Sequence, residues 1–167
     1  MKNIIFAFLS FLFVTNVFGQ EKNKDKQVPS VQLKDMNGKS ININELTKNG
    51  PVIISFWATW CSPCKRELNT IHEVYSEWQD QFNVTLVAVS IDDEKTKNSV
   101  PVYVNGRSWE YVVIMDPNSD FRRAMGVNNV PHTFLVDKNG TIVYSHNNYA
   151  PGDEELLYQE LMKLSKN

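Results

Sequence analysis

Cysteine is nearly absent. The 167 residues hold two, Cys61 and Cys64. So few thiols exclude a disulfide framework, and they fall short of a closed zinc site, which usually takes four ligands. No cysteine follows the apolar N-terminus, which argues against a lipidated end. Long apolar runs are lacking as well: the stretch from Ile4 to Val14 is too short to span a bilayer comfortably. Nor is there an excess of one charge. The formal net charge is −2, a mildly acidic balance that argues against nucleic acid as a partner. Internal repeats and low-complexity tracts are missing too.

An export pattern stands at the start. Lys2 supplies a short positive region and Ile4 to Val14 an apolar one, and Val17 and Gly19 sit at the −3 and −1 positions of a cut before Gln20. Residues 1–19 read as a secretory signal peptide, with an uncleaved membrane tether as the alternative. Cleavage leaves sixteen basic residues against nineteen acidic, a charge of −3. Residues 20–30 are polar and aperiodic and read as a flexible linker. Residues 31–167 read as one domain, large enough to bury about two-thirds of its unfolded surface. Such a core needs no staple. A bridge across two intervening residues closes a tiny loop and stabilises little on the chain-entropy account. The cysteine pair therefore reads as reactive and not structural.

The periodicities give an α/β domain. "DMNGK" (Asp35 to Lys39) is a turn between "VQL" and "SININEL", read as a short hairpin. "PVIISFW" (Pro51 to Trp57) and "VTLVAVSI" (Val84 to Ile91) read as buried parallel strands. Between them Leu68, Ile71, Tyr75 and Trp78 recur at helical spacing, completing a βαβ unit. A helix is expected near Pro101, a strand at Tyr111 to Asp116, and a short helix at Ser119 to Met125 with Ser119 as its N-cap. "HTFLVD" and "TIVYSH" flank a hairpin turn at Lys138–Asn139–Gly140, and Asp153 to Leu164 closes the domain as an amphipathic helix. The sheet is central and mixed, with helices on both faces. His72 and the run Asp92 to Glu94 read as solvated surface.

Cys61 falls where strand gives way to helix. A helix N-terminus carries free N–H groups and a partial positive charge, which stabilises a thiolate. Cys64, one turn in, can reach the same sulfur and resolve a mixed disulfide. Pro63 suits the first turn, where its missing N–H costs little.

"FWATWCSPCKRE" (Phe56 to Glu67) resembles the active-site segment of thioredoxin-like proteins. The position of Glu67, the "LKDMNGKSI" hairpin and the export signal resemble the extracytoplasmic ResA/TlpA-type thiol–disulfide oxidoreductases. "GVNNVPHTFLVDKNGTIV" (Gly126 to Val143) resembles their cis-proline loop and following hairpin. The resemblance covers roughly Val31 to Leu164 and implies a thioredoxin-like fold with an N-terminal β-hairpin extension. It implies Cys61 as attacking thiol, Cys64 as resolving thiol and Pro131 as a cis-proline. Substrate contacts would come from Trp60, Ser62, Pro63, Val130 and Pro131. Thioredoxin itself has a buried acid where this chain has Ser55, so Glu67 is the expected base, with Trp57 and Trp60 as an apolar wall beside it. His132 stands where a threonine is common, read here as packed strand. The implied partners are protein disulfides and an upstream membrane electron donor, with service in cytochrome c maturation, on apocytochrome c, or in oxidative-stress repair as the alternatives. A monomer without cofactor is expected. The direction of electron flow stays open, although the resemblance favours a reductase.

Three rivals remain at this level. A copper or zinc carrier would draw on the thiolates with His132 or His146. A thiol peroxidase would carry a proline and a threonine where Ile54 and Ala58 stand. A binding module would keep the pair only as structure.

Overall fold

All six residues of one strand, Val52–Trp57 (β3), are buried, which puts it at the centre of the sheet. The computed structural model describes residues 26–166. The expected signal peptide and the first part of the expected linker lie outside the described residues.

Leu33–Asp35 (β1) and Ser40–Ile41 (β2) form the N-terminal hairpin. Ile43–Leu46 (α1) follows, then β3. Next come Ser62–Phe82 (α2), Thr85–Ser90 (β4), Ser99–Arg107 (α3) and Val112–Met115 (β5). Asp120–Met125 (α4), His132–Val136 (β6), Ile142–Asn147 (β7) and Asp153–Leu164 (α5) complete the chain. The seven strands make one sheet in the order β2-β1-β5-β4-β3-β6-β7. β3 runs parallel to β4, and β4 to β5, while β6, β7 and the hairpin pair antiparallel. This is the expected mixed sheet.

The apolar stripe of α2 (Leu68, Ile71, Tyr75, Trp78) is buried, as its spacing predicts. Leu157 and Leu161 of α5 are buried with it. The opposite face of β3 turns Phe56 toward Phe121 of α4, ring centroids 5.4 Å apart.

Three local expectations change. "SININEL" is not one strand. Asn42 stops it by accepting the N–H of Asn44 through its side chain at 3.0 Å, and α1 starts there. Ser119 stands at the cap position of α4 but makes no capping bond. Asp116 does that work, accepting the N–H groups of Phe121 (3.2 Å) and Arg122 (2.8 Å). Residues 26–28, read as linker, are tied down: Ile142 donates its N–H to the Lys26 carbonyl, Val28 donates to the Gly140 carbonyl, and Val28 is buried.

Candidate active site at the N-terminus of α2

Cys61 is the N-cap of α2. Its backbone is extended (φ −90°, ψ 101°), and its Sγ accepts the N–H of Cys64 at 3.3 Å. One first-turn N–H, that of Cys64, thus points at this sulfur, the kind of donor that stabilises a thiolate. Pro63 sits in the first turn as expected. The two cysteines are joined in a disulfide. Cys64 is fully buried, while Cys61 keeps a small exposure of 5%. Cys61 is thus the more accessible of the two. Beside it Trp60 is 62% exposed, and the Ser62 hydroxyl accepts Arg66 Nη1 at 3.1 Å.

The loop before Cys61 has an unexpected anchor. Asp92 is buried, not part of a hydrated turn. It accepts the Thr59 N–H at 2.9 Å, the Thr59 hydroxyl at 2.5 Å and the Ser90 hydroxyl at 2.8 Å. These three donors are the compensation a buried carboxylate needs.

Glu67 is buried too, at 1% exposure, so it is no solvated helix residue. Its hydrogen-bond partners are polar side chains of two strands, and Trp60, expected beside it, is largely exposed. Thr133 donates its hydroxyl to Glu67 Oε1 at 2.7 Å, and His146 Nε2 lies 3.0 Å from the same oxygen. The Ser55 and Thr133 hydroxyls are 3.0 Å apart. Sheet register explains the grouping. Ser55 pairs with Thr133 across β3–β6, and Thr133 with His146 across β6–β7. Three neighbouring strands thus present one polar row to α2. Glu67 Oε2 is buried and makes no hydrogen bond among the described residues.

The Val130–Pro131 bond is cis, as the resemblance implies. Because Phe56 pairs with His132, Pro131 lies at the end of β3 from which the Cys61 loop departs. His132 packs as expected, stacked on Phe134 at 4.2 Å. Burial, followed by the charges of His146 and Lys26, holds its imidazole below the ordinary histidine range.

Trp109 joins the core beside this site. It is buried, donates Nε1–H to Asn69 at 3.1 Å, and packs edge-on to Trp57. His72 is half-buried, edge-on to Tyr111. Tyr111 donates its hydroxyl to the Leu68 carbonyl at 2.7 Å. Burial, with the charges of Tyr75 and Glu67 behind it, pushes this phenol far above the usual tyrosine range.

Sequence reasoning missed Asp92, Thr133 and His146 as parts of the site. The hairpin turn could have revealed the last two, because its register brings Thr133 opposite His146. Among the described residues no group of three or more His, Cys, Asp and Glu side chains is arranged to hold a metal ion.

Fold and site together define a thioredoxin-like dithiol–disulfide protein. Residues 25–145 match the AhpC/TSA family. The thiol-disulfide oxidoreductase ResA of Halalkalibacterium halodurans is 28% identical over 165 residues, covering 98% of this chain and 90% of its own. ResA of Bacillus subtilis is 30% identical over 142 residues, 84% of this chain and 77% of its own. The solution structure of an uncharacterized thioredoxin-like protein from Porphyromonas gingivalis superposes with a TM-score of 0.73 at 46% identity, covering 83% of this chain and 92% of that one. The chain belongs to the AhpC/TSA family, as a ResA-type thiol–disulfide oxidoreductase.

Proposed function

We propose that the protein works outside the cytoplasm as a reductase of protein disulfides, cycling between the Cys61–Cys64 dithiol and disulfide. The reading rests on the export pattern of residues 1–19 and on the likeness to ResA. Apocytochrome c is the proposed substrate and a membrane-bound dithiol the proposed donor. Among the described residues no helix is long and apolar enough to cross a membrane.

Cys61 thiolate attacks the substrate disulfide, and Cys64 then resolves the mixed disulfide. Trp60, Ser62, Pro63, Val130 and Pro131 form the docking surface. Val130 offers its backbone to an extended substrate segment. Glu67 accepts the Cys64 proton. One observation carries the assignment of roles: the Cys61 sulfur takes a backbone N–H at the start of α2, whereas Cys64 is fully buried and stands three residues ahead of the buried Glu67 on the same helix.

The test is the equilibrium potential of the pair against a dithiothreitol or glutathione buffer. A reductase should lie near the thioredoxin end of the range, about −270 mV; a value near −120 mV, as in a strong oxidant, would reverse the direction.

A further inference from the structure

Glu67 is built into α2, yet its two hydrogen-bonding neighbours come from β6 and β7. Both address one oxygen. Oε1 meets the Thr133 hydroxyl and His146 Nε2, while Oε2 is equally buried and meets no donor among the described residues. His146 is itself largely buried, its side chain 14% exposed, and its Nδ1 has no hydrogen-bond partner among the described residues. An imidazole so enclosed is seldom there for solubility. With hydrogen on Nε2, it and Thr133 fix the carboxylate plane from one side.

We infer that His146 is the positioning residue of the dithiol site: its Nε2–H holds Glu67 so that Oε2 is the oxygen that takes and returns the Cys64 proton. The inference rests on the exchange chemistry proposed above. In the resolving step the Cys64 thiol proton moves to Oε2. The freed electron pair forms the bond from Cys64 Sγ to Cys61 Sγ. The bond from Cys61 to the substrate sulfur breaks, and the substrate leaves as a thiolate that takes a proton from water. The cysteine pair is oxidised and the substrate reduced. In the reverse step Oε2 returns its proton to the departing Cys64 sulfur. His146 touches neither sulfur in this scheme. Its effect passes through Glu67 alone.

That restriction makes the test sharp. His146→Leu keeps bulk and removes the donor. Resolution of a preformed mixed disulfide should slow about tenfold, the loss of one hydrogen bond to a charged group. His146→Gln keeps an N–H donor and should resolve within about twofold of wild type, since the donor and not the imidazole is needed. Added to Glu67→Gln, the His146→Leu change should slow nothing further, because coupled residues are not additive. Attack by Cys61, read in a Cys64→Ser background, should be unchanged by either His146 variant. Wild-type resolution in His146→Leu, an equal loss in both Glu67 backgrounds, or a Gln variant as slow as Leu would each overturn the assignment. Imidazole 15N shifts of the wild-type protein give an arm that needs no variant: Nε2 must carry the hydrogen, and a Nδ1–H tautomer overturns the assignment. Wild-type protein that exchanges no disulfide would sink the proposed function instead, and the 15N arm would then decide the role of His146 by itself.

Discussion

Asp92 and Thr59 meet from 33 positions apart, and together they set the loop that delivers Trp60 and Cys61 to the end of α2. In sequence Asp92 belongs to a run of three acids, which looks like a solvated turn. The neighbours diverge in the fold: Asp93 turns outward and caps its own loop through the Lys95 and Thr96 N–H groups, while Asp92 turns in. Replacing Asp92 with Ala strands the Thr59 N–H and the Ser90 hydroxyl. Leaving such buried groups unpaired costs about 1–3 kcal/mol each. The Asp92→Ala variant should therefore melt well below wild type. Its loop, no longer pinned, should also slow attack by Cys61 several-fold. A variant with wild-type melting and wild-type exchange would show that the loop is held by something else.

At the scale of elements, what the sequence made legible was local. The Asp137 turn is an example. Its carboxylate accepts the N–H groups of Asn139 and Thr141, both at 2.8 Å, and Gly140 takes the left-handed conformation at φ 80°. All of that is chemistry within five residues, so the hairpin could be predicted. The α2 boundary was legible for the same reason, since a proline and a cap mark it. α1 was not, because four residues of Ile-Asn-Glu-Leu suit a strand edge as well as a single helical turn. The Glu67 cluster was less legible still. It requires two strand pairings and a helix to be in register at once, and only the β6–β7 pairing is announced by a turn. Gly50, just ahead of β3, is a related long-range case. A Cβ there would collide with the backbone carbonyl of Asn83 at the end of α2. Backbone cannot swing aside as a side chain can, so Gly50→Ala must shift β3 or α2. Overpacking of this kind costs about 1–3 kcal/mol. Denaturant titration should record that loss as a lower midpoint, and an unchanged midpoint would mean the two segments separate freely.

Across the whole molecule, the β6–β7 hairpin is the platform on which the buried carboxylate rests, and β7 is the last strand of the sheet. An edge strand has one side of its backbone unpaired and needs cover. Here the chain supplies it from the opposite terminus. Lys26 accepts the Ile142 N–H at 2.8 Å, Gln27 forms a bridge with Thr141, and Val28 is buried after donating to Gly140 at 2.9 Å. The other end of β7 has a separate tie, from the Asn148 N–H to the Pro131 carbonyl at 2.8 Å. His146 lies near that second tie, four residues from Ile142. A chain that begins at Val31 should accordingly lose stability without losing its chemistry. Unburying one valine costs about 1.5–3 kcal/mol, and the two backbone bonds go with it. Compared with a chain that begins at Gln20, the shorter one should melt lower and expose the Ile142 amide to rapid hydrogen exchange. The amides of β7 on the site side should stay protected, and disulfide exchange should remain within about twofold, since distant independent sites are nearly additive. If the Ile142 amide stays protected after truncation, residues 26–28 do not hold this edge. If exchange of disulfides falls along with stability, the two ends of β7 are one unit, and the N-terminal segment belongs to the machinery that orients Glu67.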